Sequence, residues 1–317
     1  MVRPPVADIG RAIRLALKED LPHGDVTTAA LFPSPTPAFA RIVAQQSLVV
    51  AGLAAAVQTF RTLDPSLVLS PHCQDGDRAQ DGDCLLAIEG DGRSILTAER
   101  VALNFLQHLS GIATLTRRFC DEVRGYPVTI LDTRKTIPGL RALQKWAVLL
   151  GGGSNHRQSL SDGMLIKDNH LALLNRSTTP VKTACRKAKT NRLHDMNVIV
   201  EVESLAEVRQ ALAGQADIIL LDNMNPATVR QAVRLIKGQA LVEVSGGITL
   251  KNVRAMAKAG PDRISIGALT HSAPAATLSL VLEPLRGQAP FVVAERGQVP
   301  RETRRRGPDP WRRANGA

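Results

Sequence analysis

The densest chemical signal in the sequence is Asp132-Thr-Arg-Lys-Thr-Ile-Pro-Gly139, where two adjacent cations, Arg134 and Lys135, follow a short apolar run. Two later segments, Gly151-Gly-Gly-Ser-Asn-His-Arg157 and Leu165-Ile-Lys-Asp-Asn-His170, add His156, Arg157 and Lys167. Clustered cations repel one another, so folding alone does not favour bringing these five together. A dianionic ligand would neutralise them, and arginine meets a planar carboxylate through two parallel N–H donors. The competing reading is a set of ion pairs with local acids such as Asp132 and Asp162.

Glu201 and Asp222 each end a short apolar run. Their hard oxygens suit ribose hydroxyls or a magnesium-bound sugar phosphate; the alternative is that they cap neighbouring helices. Farther on, Val244-Ser-Gly-Gly-Ile248 reads as strand, glycines, then helix, and Ser265-Ile-Gly-Ala-Leu-Thr270 repeats the device. Glycines let backbone N–H groups approach a phosphate, and a helix N-terminus favours negative charge.

These residues need elements to position them, and the second half supplies a regular beat. Runs at 128–131, 164–166, 198–200, 218–221, 241–244 and 264–266 end at Asp132, Lys167, Glu201, Asp222, Ser245 and Gly267. The last intervals are 21, 23 and 22 residues, room for one strand and one short helix, such as 205–213, 226–236 and 250–259. Such alternation predicts parallel strands with right-handed crossovers, and continuous apolar strands predict burial on both faces. An α/β barrel satisfies both and places reacting groups at the carboxyl ends of its strands. A doubly wound open sheet fits the same pattern.

The first part differs. Segments 38–52 and 75–88 read as strands and turns punctuated by Asp-Gly pairs; 7–18, 53–63 and 99–115 read as helices. The expectation is an N-terminal α+β sandwich domain over 1–112, with a contribution from 272–285, and a barrel domain over 113–271. Residues 286–317 read as a basic, disordered tail.

Composition narrows the function classes. Net charge is +11; from Arg286 onward eight arginines face three acids, a net +5, which leaves +6 on the body. A basic body suits an anionic substrate as well as nucleic acid, but an aromatic content of 3% argues against base-stacking platforms. The four cysteines form no CxxC pair, so neither a zinc site nor a disulfide framework is indicated. With no signal peptide or membrane-length apolar run, a cytoplasmic protein is expected.

Several motifs occur in one order: Glu19-Asp20 with Gly24-Asp-Val-Thr-Thr28, Glu99-Arg-Val-Ala-Leu-Asn104, Asp132-Thr-Arg-Lys135, the Gly-Gly-Gly-Ser-Asn-His-Arg157 run, Ile-Lys-Asp-Asn-His170, Leu-Asp-Asn223 and Val-Ser-Gly-Gly-Ile-Thr249. From about residue 6 to about residue 285 the chain resembles the quinolinate phosphoribosyltransferases. The resemblance implies an N-terminal sandwich plus an incomplete α/β barrel. It implies a pentosyltransferase that joins quinolinate to phosphoribosyl pyrophosphate, with loss of CO2 and pyrophosphate, to give nicotinate mononucleotide for NAD biosynthesis. Thr133, Arg134, Lys135, His156, Arg157 and Lys167 would bind quinolinate, joined by Arg100 from the partner subunit of a homodimer; a hexamer is the other assembly in view. Glu201 and Asp222 would hold the ribose and a Mg2+-bound donor, with Lys135 beside them in the catalytic set. Ser245, Gly246, Gly247, Gly267, Ala268 and His271 would line the 5′-phosphate region.

Four departures stand out from the family pattern. Ile137 and Gln144 replace a common threonine and glutamate, Leu149-Leu150 a more polar pair, and Ser159 a frequent glycine. Two rivals remain: the related pyrophosphorylase-like protein of molybdenum transport, expected to lack the lysine of the Ile-Lys-Asp-Asn-His run, and a non-catalytic nucleic-acid-binding protein using the basic tail.

Overall fold

The computed structural model describes residues 5–174, 177–193 and 196–284. The basic tail read over 286–317 lies outside the described residues. The N-terminal part contains α1 (Val6–Asp20), α2 (Val26–Leu31), β1 (Pro37–Ala44), β2 (Leu48–Val49), α3 (Leu53–Leu63), β3 (Val68–Pro71), β4 (Arg78–Ala79) and β5 (Cys84–Asp91). A long helix, α4 (Gly92–Glu122), leads to β6 (Thr129–Leu131), α5 (Arg141–Leu150), β7 (Met164–Ile166), α6 (Asp168–Ala172) and α7 (Pro180–Asn191). Then follow β8 (Val198–Val202), α8 (Leu205–Ala213), β9 (Ile218–Asp222), α9 (Pro226–Ile236), β10 (Leu241–Ser245), α10 (Val253–Lys258), β11 (Arg263–Ser265), α11 (Ala268–His271) and β12 (Leu278–Pro284).

The N-terminal sheet has the order β12-β1-β5-β3 and is antiparallel, so the chain returns after the last barrel helix to lay β12 against β1. Helix α4 starts seven residues earlier and ends seven later than the apolar periodicity of 99–115 suggests. It serves two cores. Ile95, Ala98, Ala102 and Leu106 pack with Ile42, Phe60 and Ile88, whereas Val101, Phe105, Leu109 and Ile112 join the barrel core around Ile130 and Trp146. Spacings of three and four residues set both stripes on one helix, and the expected 112/113 boundary falls inside it.

Asp91 caps α4, accepting from the backbone N–H groups of Arg93 (3.1 Å) and Thr36 (3.1 Å) and from Arg93 Nε (2.9 Å). The hydrogen bond from Arg93 is the main reason its carboxyl sits below the ordinary value. Its stabilisation is therefore present above the ordinary carboxylate pKa and lost as pH falls through the lowered one. Asp91→Ala is expected to cost about 1 kcal/mol in a denaturant melt near neutral pH, with the gap from wild type narrowing in acid.

The second sheet has the order β6-β11-β10-β9-β8-β7, every neighbouring pair parallel. Its first strand in sequence lies beside its last, so the order is cyclic. A doubly wound sheet reverses direction at its middle instead, and this decides for the barrel. The barrel is incomplete: among the described residues, beyond β6 only the single bridge Leu131–Ser154 extends the ring toward β7.

Alternation within the strands separates two faces. Val198, Val200, Ile219 and Leu221 join the large core beneath the helices, while Ile199, Ile218 and Leu220 form a small inner cluster with Leu165. Strands β8, β9 and β10 run one or two residues farther than their apolar runs, which makes Glu201, Asp222 and Ser245 part of the strands themselves. No described helix is long and apolar enough to cross a membrane.

Candidate active site

Register fixes which side chains share the inner face. Ile166 pairs with Val200, Glu201 with Leu220, and Leu220 with Glu243. Directly paired residues point to the same side of a sheet, so Glu201 and Glu243 share one layer with Leu220, and Lys167 follows β7 at the same level. Asp222 pairs with Ser245 one layer nearer the strand ends. Lys167 Nζ lies 2.9 Å from Glu201 Oε2, which brings two of the expected ligand-binding residues into contact with each other.

The cations are not uniformly free of partners. Asp132 is completely buried and is claimed by Lys145, equally buried on α5. Asp132 Oδ1 also accepts the His156 backbone N–H (2.8 Å), and Lys145 Nζ donates to the His156 carbonyl (2.9 Å). The Asn155 amide fits its surroundings with nitrogen 2.6 Å from Asp132 Oδ2. Burial pushes the Asp132 carboxyl up and the Lys145 amine down, each opposed by the attraction of the other. The pair thus clamps the loop carrying His156 and Arg157. The ring of His156 is also engaged: Nδ1 accepts the Arg157 N–H (2.7 Å), and Nε2 lies 3.3 Å from Glu243 Oε1.

That leaves Arg134, Lys135 and Arg157 without an ion pair among the described residues. Five loose cations reduce to three, and no local acid forms an ion pair with those three: Asp132 serves Lys145, and Asp162, which accepts from the Gln158 backbone, acts on Arg157 only through its field. Arg134 Nε is buried with no hydrogen-bond partner. Arg157 Nη1 reaches the Gly163 carbonyl (3.2 Å); burial first, and then the charge of Arg134, holds its guanidinium below the ordinary value. Arg134 thus stands close enough to Arg157 to disfavour its charge, a repulsion that a bound anion would relieve.

The other end of the mouth is built from backbone. Lys135 N–H is held by Thr133 Oγ1 (3.0 Å), and Thr270 Oγ1 donates to the Lys135 carbonyl (2.7 Å). A Cβ on Gly267 would lie 3.0 Å from Lys135 Cδ and 3.1 Å from His271 Nε2, so glycine allows these three to converge beside Ala268. Gly246 adopts φ +88°, and a Cβ there would meet Asn223 Oδ1 at 2.2 Å. The expected strand–glycine–helix succession is present at Gly267, which caps the four-residue α11, and needs correction at Gly246-Gly247, where α10 begins only at Val253 and has six residues. Asn252 instead folds the loop, donating to the Gly247 carbonyl (2.9 Å) and accepting the Thr249 N–H (2.8 Å). Ser245, Gly246 and Gly247 therefore present loop backbone, without an adjoining helix dipole. Arg100 is exposed on α4 and forms no hydrogen bond or ion pair among the described residues.

A family model for the quinolinate phosphoribosyl transferase N-terminal domain matches residues 25–110, and one for the C-terminal domain matches 112–281. The chain belongs to the quinolinate phosphoribosyltransferase family. It is 40% identical over 302 residues to a quinolinate phosphoribosyltransferase (decarboxylating) of Nicotiana tabacum, covering 89% of this chain and 85% of that one. A nicotinate-nucleotide pyrophosphorylase (carboxylating) of Arabidopsis thaliana is 40% identical, covering 88% and 84%. The nicotinate-nucleotide pyrophosphorylase structure from Francisella tularensis superposes with a TM-score of 0.83 at 38% identity, covering 89% of this chain and 98% of that one. The corresponding protein of Ehrlichia chaffeensis gives 0.82 at 38%, covering 86% and 98%.

The departures from the quinolinate phosphoribosyltransferase pattern are accommodated locally. Ser159 is not among the positive-φ residues, and its Oγ meets Ser161 Oγ at 2.8 Å, so no backbone strain follows from losing glycine. Gln144 is buried; its Oε1 accepts the Ile137 N–H (2.9 Å) and its Nε2 donates to the Thr270 carbonyl (3.0 Å) and to His108 Nε2 (2.8 Å). An ionised glutamate could not make the bond to the Thr270 carbonyl, and burial holds His108 below its ordinary pKa, favouring the neutral imidazole. Lys145, Gln144 and Glu243 were not singled out by spacing. The available signal was a lone charge inside an apolar stretch: Lys145 beside Trp146, and Glu243 between Val242 and Val244.

Proposed function

We propose that the chain transfers the phosphoribosyl group of phosphoribosyl pyrophosphate to quinolinate, with decarboxylation, giving nicotinate mononucleotide, CO2 and pyrophosphate for NAD biosynthesis. The observation that carries this reading is the set of Arg134, Lys135 and Arg157, which form no ion pair among the described residues; Arg134 and Lys135 follow β6 at the carboxyl end of the barrel strands, the end at which Glu201 and Asp222 close β8 and β9. Membership of the family supplies the reaction class. The intact Lys167 and its contact with Glu201 favour this enzyme over the molybdenum-transport homologue.

In the proposed chemistry the ring nitrogen attacks C1 of the ribose as the pyrophosphate oxygen leaves. The cationic ring then accepts the electron pair of the breaking bond to the 2-carboxylate, and a proton replaces CO2. Arg134, Arg157 and Lys167, with Thr133 alongside, would orient the two carboxylates, while Lys135 would face the leaving pyrophosphate. Glu201 and Asp222 would hold the ribose and stabilise its developing positive charge. Loop N–H groups at Ser245, Gly246, Gly247, Gly267 and Ala268, with His271, would take the 5′-phosphate.

Among the described residues no three His, Cys, Asp or Glu side chains gather as a metal cage. Two carboxylates on adjacent strand ends instead fit Mg2+ arriving on the diphosphate, which keeps most of its water and phosphate ligands. Arg100, exposed and without a partner among the described residues, suits a role across a homodimer. A cytoplasmic location belongs to the same proposal, although some plant relatives are named mitochondrial or chloroplastic.

The test is discrimination by the 2-carboxylate. Nicotinate lacks it, and is expected to show a kcat/KM at least about tenfold below that of quinolinate, the loss of one charged contact being the minimum penalty. Equal turnover of both acids, measured by chromatography of the nucleotide product, would remove the assigned pocket.

A further inference from the structure

Glu243 has no task in the chemistry above, yet it sits inside the barrel in the layer of Glu201, one layer below Asp222 and Ser245. It is completely buried, and neither carboxylate oxygen makes a hydrogen bond among the described residues. Arg263, its register partner on β11, forms no ion pair with it. The side chain that does approach is His156, with Nε2 at 3.3 Å from Oε1. A buried carboxylate so poorly paired costs free energy that an apolar residue would not, so stability does not explain its presence.

The other side of the imidazole gives the reason. His156 Nδ1 accepts the backbone N–H of Arg157 at 2.7 Å. An amide N–H can only donate, so Nδ1 must carry its lone pair, and in the neutral imidazole the proton then sits on Nε2, the nitrogen 3.3 Å from Glu243 Oε1. The hydrogen bond at Nδ1 and the charge contact at Nε2 suit the same tautomer. We propose that Glu243 is a positioning residue that fixes His156 in the Nε2–H tautomer, so that Nδ1 holds the Arg157 backbone and aims its guanidinium into the anion receptor. The inference rests on the carboxylate-binding reading of Arg157. It changes the part expected of His156, which acts through Arg157 and does not offer Nε2 to the substrate.

Two sets of variants in the full-length enzyme test this. In Glu243→Met, nitrogen-15 spectra of histidine-labelled protein are expected to show the His156 resonances leaving the Nε2–H pattern of wild type, assigned by their disappearance in His156→Asn. The KM for quinolinate is expected to rise about tenfold, with the KM for phosphoribosyl pyrophosphate changing much less. Glu243→Gln, whose amide oxygen can still accept from Nε2, should recover most of the loss. At position 156, asparagine places its oxygen where Nδ1 was, and glutamine where Nε2 was. The proposal therefore requires a lower quinolinate KM for His156→Asn than for His156→Gln. The reverse order, or unchanged nitrogen shifts in Glu243→Met with equal rises in both KM values, would overturn it. The spectra are read without substrate, so an inactive wild-type enzyme would refute the assigned reaction and leave this dyad to be judged on the nitrogen shifts.

Discussion

Replacing Arg157 with alanine is expected to lower kcat/KM for quinolinate by on the order of 100-fold or more, with little change in thermal stability. The expectation follows from what the guanidinium does in the unliganded protein, which is little. Its one hydrogen bond goes to the Gly163 carbonyl, and no acid among the described residues pairs with it. Burial and the nearby charge of Arg134 both disfavour it as it stands, and the field of Asp162 offsets them only in part. Removing it thus relieves an unfavourable field in the free enzyme while deleting a bidentate carboxylate partner. Lys135→Ala should behave alike: its ammonium lacks an ion pair among the described residues, while its backbone is tied to Thr133 and Thr270 whatever the side chain. Steady-state kinetics with a melting curve for each variant make the check. Near-normal kinetics in both would refute their assigned roles.

Lys145→Met is expected to act in the opposite way, through the fold. It leaves Asp132 buried at the centre of the barrel mouth without its cation, a loss of about 3 to 5 kcal/mol. Because Lys145 also donates to the His156 carbonyl, the loop bearing His156 and Arg157 should loosen with it. Protection of the 154–158 amides from hydrogen exchange should fall, together with the denaturation midpoint. A second substitution, Asp132→Leu, removes the stranded charge. The double variant should therefore be less destabilised than the sum of the two single ones. Additive losses would mean that the two residues do not act as a pair.

The barrel was legible because parallel strands are buried on both faces and repeat at a nearly constant interval. Sequence could not choose between a closed and an open order, since both produce the same beat; the pairing of β11 with β6 decides it. The strand-end residues were legible for a related reason: Lys167, Glu201 and Asp222 interrupt apolar runs where a ligand can reach them. What stayed hidden was partnership. Spacing shows that five cations and several acids lie nearby, but not that Asp132 belongs to Lys145, Glu201 to Lys167 and Glu243 to His156. Those pairings join residues from different strands and helices, and only register and the packing of α5 against the barrel create them. The helix start after Gly246-Gly247 was misjudged because a side chain, Asn252, folds the intervening loop, whereas α11 does start directly after Gly267.

The most direct test of the central claim is a single reaction with every component withheld in turn. Purified protein, quinolinate, phosphoribosyl pyrophosphate and Mg2+ are combined, and nicotinate mononucleotide and CO2 are measured together. The account predicts that both products appear in equal amounts and only when all components are present. Folded protein that yields neither product, or nucleotide without CO2, would contradict it.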